Sequence, residues 1–96
     1  MILWIDDIRT PPTKDCHWVK SVNEAITFII ENSYRIDYLD LDHDAGDYAK
    51  DGGDYIKILD WMEKYGYNFD IHIHSMNPVG VQNMRNIIQH NNWREI

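Results

Sequence analysis

Ile2-Leu3-Trp4-Ile5-Asp6-Asp7 is the stretch on which the fold turns. Four apolar residues with β-branched and aromatic members are too short a run for a helix and read as a buried strand, which the double Asp terminates. The pattern recurs at Ile36 to Asp42, which alternates and runs out into Asp42-His43-Asp44-Ala45-Gly46. Phe69 to Ser75 reads as a last strand, and His17 to Lys20 as a further short one after the loop chemistry of Thr10-Pro11-Pro12-Thr13.

Helices fill the intervals. Ser21-Val22-Asn23-Glu24 has the Ser-x-x-Glu form of a capping box, and Val22, Ala25, Ile26, Ile29 and Ile30 follow at the spacing of one buried stripe. After an acidic loop, Asp51-Gly52-Gly53-Asp54 leads into Tyr55, Ile58, Leu59, Met62 and Tyr65 at helical spacing, with Gly66 placed as the residue past the helix end. Asn77-Pro78, a cap followed by a first-turn proline, starts a helix carrying Val81, Met84, Ile87 and Ile88 on one side. The order β, loop, β, α, β, α, β, α predicts a mostly parallel α/β sheet with right-handed crossovers. Strand parity sends Leu3, Ile5, Leu39, Leu41, Ile71 and Ile73 to the face packed by three helices, and Trp4, Tyr38, Asp40, His72 and His74 to the other. That second face has no helix assigned to it. The Arg9 to Cys16 loop, a second subunit, or both are expected to cover it.

The 96 residues make a single domain, residues 1 to 96, large enough for one core. Net charge is −7, and seven Asp against one Lys between Asp37 and Asp54 place −6 of it in one short stretch. This balance excludes a basic surface for wrapping duplex DNA and a polybasic membrane anchor. Cys16 is the only cysteine, and the Met1 to Ile5 run is too short for a signal peptide or a membrane span, so the chain reads as cytoplasmic.

Parallel strands deliver functional residues at their carboxyl ends, and three ends carry polar clusters: Asp6-Asp7, Asp42-His43-Asp44 and His74-Ser75-Met76-Asn77. Neighbouring strands lie about 4.8 Å apart, so such clusters converge on one small ligand. Carboxylates brought that close repel unless a cation intervenes, and a hard divalent ion, Mg²⁺ or Mn²⁺, suits Asp6, Asp7 and Asp42. The helix start at Asn77-Pro78 favours an anion such as phosphate near Ser75. His43 and His74 are candidates for general acid or base. Blander roles compete: Asp caps and turns loops, His72 suits a sheet face or an interface, Trp4 and Trp18 suit packing, and Trp93 in a polar tail carries no signal.

Three look-alikes fail. Asp40-x-Asp42-x-Asp44 opens like a calcium loop but has Ala45 where Gly belongs and Asp51 where Glu belongs. Leu39-Asp40-Leu41-Asp42 resembles the Asp-x-Asp of haloacid-dehalogenase-type phosphatases without their later Thr and Lys motifs. His72-x-His74 lacks the second histidine motif of two-histidine phosphoesterases.

Trp4-Ile5-Asp6-Asp7-Ile8-Arg9, Leu41-Asp42-His43-Asp44-x-Gly46, Gly53-Asp54-Tyr55 and His74-Ser75-x-Asn77-Pro78-x-Gly80 together resemble a response-regulator receiver domain, and more closely the cyclic-phosphate-processing receiver group. The resemblance implies a truncated receiver-like (flavodoxin-like) fold, derived from three layers, with about four parallel strands and three helices mainly on one face. By it, Asp6 and Asp7 match the metal-binding acidic pair, with Asp44 alongside. Asp42 matches the phosphoacceptor, Ser75 the hydroxyl position, and Arg9, Asn77 and Gly80 join Ser75 as candidates for holding phosphate. A loop replaces the receiver's first helix, and no residues remain for its fifth strand, its last helix or the Lys that follows that strand. The implied role is metal-dependent binding, with possible hydrolysis, of a cyclic phosphate on a nucleotide or RNA end, in a phage or bacterial conflict setting. A silent protein-interaction module and a sponge that sequesters a cyclic nucleotide are the alternatives. The uncovered face and the last strand, expected at an edge, point to a homodimer.

Overall fold

A computed structural model describes residues 1–96. Four strands, β1 (Ile2–Ile5), β2 (Cys16–Val19), β3 (Tyr38–Leu41) and β4 (Asp70–Ile73), form one parallel sheet in the order β2-β1-β3-β4. Three helices, α1 (Val22–Asn32), α2 (Ile56–Tyr65) and α3 (Pro78–His90), connect or follow them. The expected topology is present. The strands are shorter than the sequence reading, because pairing stops where the four-residue β1 stops: Ile5 is level with Val19 and with Leu41, and Leu41 with Ile73.

Local chemistry sets the helix ends. Ser21 Oγ accepts the Glu24 N–H at 3.0 Å, while Glu24 Oε1 reaches back to the Lys20 N–H at 2.7 Å, one residue before the usual capping-box partner. Asn77 Oδ1 accepts the Gly80 N–H at 3.0 Å, with Pro78 in the first turn. Each such cap stabilises its helix by roughly 1 kcal/mol. Gly66 ends α2 at φ +77°, donating its N–H to Met62 O.

Parity works as expected. Leu3, Ile5, Leu39, Leu41 and Ile71 are fully buried against Ala25 and Ile29 of α1, Ile58, Leu59 and Met62 of α2, and Met84 and Ile88 of α3. Each such Leu, Ile or Met contributes roughly 1.5 to 3 kcal/mol by leaving water. Ile30 departs from the predicted stripe and is largely exposed. Residues 46 to 51 wind into 3₁₀ turns instead of an open acidic loop. On the other face the β1–β2 loop folds over Trp4, whose Nε1–H donates to Arg9 O at 2.8 Å, while His72 stays exposed. No helix is long and apolar enough to cross a membrane.

The tail corrects two expectations. Trp93 packs against the core, and residues 94 to 96 lie along the outer side of β4: Ile71 N–H donates to Arg94 O at 2.9 Å and Ile71 O accepts from Ile96 N–H at 2.8 Å. Arg85 fixes this segment through Nε to both Glu95 carboxylate oxygens. The last strand is therefore not a wholly open edge, and three residues suffice for a rudiment of the fifth strand. Hydrogen exchange should show the Ile71 amide protected and the Ile73 amide exchanging faster, and removal of residues 93 to 96 should erase the protection at Ile71. Equal protection at both amides would contradict this arrangement.

Candidate functional site

The ladder continues one residue beyond the strands and brings their acidic ends together. Asp6 N–H donates to Val19 O, Asp42 N–H to Ile5 O at 3.0 Å, and His74 N–H to Leu41 O at 3.0 Å. Asp6, Asp7 and Asp42 consequently present carboxylate oxygens that all lie within 4.8 Å of one another. Beside them, Gly46 sits at φ +55° with Asp7 Oδ2 where its Cβ would be, at 2.3 Å, so a side chain there would fill the space next to the carboxylates.

The three acids are not equivalent. Asp6 is 2% exposed; its Oδ1 accepts the N–H groups of Ile8 and Arg9 at 2.9 and 2.8 Å, and its Oδ2 faces His74 Nε2 at 2.9 Å. Burial alone would raise its pKa, but the two N–H donors and His74 outweigh it and hold it below the usual value. Asp7 is shifted the other way, by burial and by the negative charges of Asp6 and Asp42. Asp42 Oδ1 accepts the N–H of His43 at 2.8 Å.

His74 is clamped on both nitrogens. Nδ1 lies 2.7 Å from Asp40 Oδ1 and Nε2 2.9 Å from Asp6 Oδ2, and the ring stacks on Trp4 with centroids 4.0 Å apart and planes within 3°. A carboxylate on each side requires both nitrogens to donate, which makes the ring an imidazolium over an indole face. Burial opposes its charge, yet Asp40 and Asp6 together raise its pKa. Asp40, 8% exposed, also meets His72 Nδ1 at 2.9 Å, and the hydrogen bonds to both histidines overcome the burial that would raise its pKa.

A second group forms between β3 and α3. His43 Nδ1 lies 2.8 Å from Asp44 Oδ1, and Asn77 Nδ2 donates weakly to Asp44 at 3.3 Å. The hydrogen bond from His43, above all, lowers the Asp44 pKa. Asp44, expected with Asp6 and Asp7, is placed instead with His43 and Asp54, and a ligand atom from each of these three lies within 4.8 Å of the others. Asp54 Oδ1 also accepts the Ala45 N–H at 3.0 Å. Gly80, matched above to a phosphate position, has its N–H taken by Asn77 and its Cα against the His43 ring, with Cγ 2.4 Å from where a Cβ would stand. Ser75 Oγ accepts the Asn77 N–H at 3.1 Å, and Arg9 Nη1 donates to His74 O at 3.2 Å, spanning from the β1–β2 loop to the end of β4.

Gly46, Asp54 and Tyr55 stand in the sequence motifs without a role of their own, and Asp40 only in two motifs that fail. Tyr55 is fully buried beneath the acids, donates its O–H to Lys20 O at 2.7 Å, and has its pKa raised by burial and by Asp7. Asp40 was detectable, since parity already placed it on one face with His72 and His74.

The family described as Cyclic-phosphate processing Receiver domain matches residues 1–90. Among curated proteins and among solved structures nothing matches.

Two outcomes test this geometry. Gly80→Ala should destabilise by about 1 to 3 kcal/mol in urea unfolding, because the new methyl overlaps the His43 ring; a neutral result would contradict that packing. The clamp also predicts a pH window. The raised His74 pKa gives stability that is complete below its unfolded value near 6.5 and lost as pH rises through the folded one. The lowered Asp6 and Asp40 pKa values give stability present above about 3.8 and lost as pH falls through their folded values. Thermal melts should therefore show a maximum between those limits that flattens in Asp40→Asn; an unchanged profile in that variant would dismiss the clamp.

Proposed function

Because this chain belongs to the family of cyclic-phosphate processing receiver domains, we propose that it binds a cyclic phosphate through a divalent cation, Mg²⁺ or Mn²⁺, and opens the ring by hydrolysis. The observation that carries this reading is the convergence of Asp6, Asp7 and Asp42 oxygens within 4.8 Å, next to the space kept by Gly46. Hard carboxylate oxygens in that number fit such an ion, and Asp7 makes no salt bridge of its own, unlike Asp6, which pairs with His74. When bound, the ion supplies neutralisation of these acids and polarisation of a phosphoryl oxygen.

The chain's own residues supply the rest. His43 is fixed through Nδ1 by Asp44, and Nε2 is the nitrogen that takes a proton from water. The water oxygen attacks phosphorus, one ring P–O bond breaks, and the released oxygen receives the proton from His43, leaving a phosphate monoester and a free hydroxyl. His74 has both nitrogens engaged and acts as a fixed positive charge that orients Asp6. Arg9, whose Nη1 reaches His74 O at the end of β4, and the Val79 N–H, the one first-turn donor of α3 that no cap or turn bond takes, are the partners for phosphate oxygens in this reading. Cyclic phosphates on RNA ends suit the conflict setting that the family likeness suggests. Holding the ligand without cleaving it, as a sponge, is favoured by the engagement of His74, which leaves one histidine for proton transfer.

Calorimetry with Mn²⁺ and then with nucleoside 2′,3′- and 3′,5′-cyclic phosphates, followed by product analysis, separates these readings. Asp42→Asn should weaken Mn²⁺ binding by more than about tenfold. His43→Gln should keep Mn²⁺ binding and lose about 10²-fold or more in turnover. Ligand binding with no product would establish a sponge. A wild-type chain that binds neither ion nor ligand would leave an interaction module.

A further inference from the structure

The outer side of β4 is covered at Ile71 and bare at Ile73. Ile71 turns both backbone groups to the tail, and His74 turns its N–H inward to Leu41 O. Successive residues alternate in this respect, so Ile73 directs its N–H and C=O outward, where they make no backbone bond to residues 94 to 96. Next to it a groove of about 410 Å³ opens between β4 and α3, lined by Ile73, Ser75, Met76, Pro78, Val81 and Gln82. The remaining wall is Arg85, whose Nε is held by Glu95. Met76 is 86% exposed at the mouth.

Resting on the proposed function above, we infer that this groove is the nucleoside subsite: it takes the base of a nucleoside cyclic phosphate whose phosphate lies at Asp6, Asp7 and Asp42. Ile73, Val81, Met76 and Pro78 offer apolar surface to a flat ring. The N–H and C=O of Ile73 and the Oε1 of Gln82, whose Nε2 donates to Asn86 Oδ1 at 2.9 Å, offer a donor and acceptors for its edge, which is the pairing of apolar body and polar rim that a base presents. The groove begins at Ser75, next in sequence to His74, whose ring bonds Asp6. β3, which delivers Asp42, lies one strand spacing of about 4.8 Å from β4, and β1, which delivers Asp6 and Asp7, lies two, so a nucleotide laid across the end of β4 joins the phosphate site to the groove. An added peptide strand fits less well, since only one residue of this edge is free and strand addition draws on several successive backbone bonds.

The experiment compares, in Mn²⁺, a nucleoside 2′,3′-cyclic phosphate with the base-less methyl riboside 2′,3′-cyclic phosphate. The nucleoside compound should bind roughly tenfold tighter or better. It should also shift the backbone resonances of Ile73 and Val81, which the base-less compound leaves in place. Met76→Ala and Gln82→Ala, both at the surface, should narrow the ratio between the two probes. An oligoribonucleotide with the same cyclic end, if tighter than the mononucleotide, supports the groove and identifies an RNA end as the source; parity supports the groove with a free nucleotide. Equal binding of both probes by the wild type, or an unchanged ratio in both variants, overturns the groove assignment while the cyclic-phosphate reading stands. Binding of neither probe overturns both.

Discussion

The two-sided clamp on His74 is the constraint from which the rest of the site follows. Three strands meet in it, through Asp6 after β1, Asp40 within β3 and His74 after β4, joined by bonds of 2.7 and 2.9 Å. Charge-assisted hydrogen bonds between groups this buried are strong only while every partner is present, because losing one leaves a charge without water or counter-charge. No buried side-chain polar atom here lacks a partner, so the face without helices closes over a fully satisfied polar network. Trp4 completes the closure from above the imidazolium, and the β1–β2 loop covers Trp4.

The clamp divides the acids into two kinds. Asp6 and Asp40 are satisfied: their partners lower both pKa values in spite of burial. Asp7 is left beside two negative neighbours, and its pKa rises. An acidic protein needs no cation to account for a charge of −7, most of which is solvated. The local excess lies at Asp7 and Asp42, next to an Asp6 whose imidazolium partner is shared with Asp40, and it is on this excess that the proposed cation rests. Asp47 and Asp51, though part of the acidic stretch, belong to the 3₁₀ turns and stand outside both ligand groups.

Much of this was legible in the sequence because period-two alternation and helix caps are local signals. Ile2-Leu3-Trp4-Ile5 followed by two acids specified a strand and its functional end, and Ser21, Asn77 and Gly66 specified helix ends through single hydrogen bonds or a single left-handed residue. Long-range register was not local. That Asp40 sits level with His72 depends on which residues of β3 and β4 pair, and a shift of one would have sent Asp40 into the core. Gly46 and Gly80 read as turn and motif residues, whereas their function is steric: one leaves space for Asp7, the other for His43. Trp93 was unreadable for the opposite reason. Its neighbours are polar, and only the fold of the tail against β4 gives it an apolar surface to cover.

Residues 94 to 96 also bear on the outer edge of β4. A parallel edge strand with free backbone groups invites pairing with other chains, and natural edges are blunted by short covers or charge. Here Arg94, Glu95 and Ile96 cover the level of Ile71, and the Arg85–Glu95 and Arg94–Asp70 pairs hold them there. The cover stops one ladder step below the functional end of the sheet. Pairing with this segment stabilises the base of the edge at Ile71, while Ile73, beside Ser75, lines the groove against α3, so the two levels of one strand meet different surroundings.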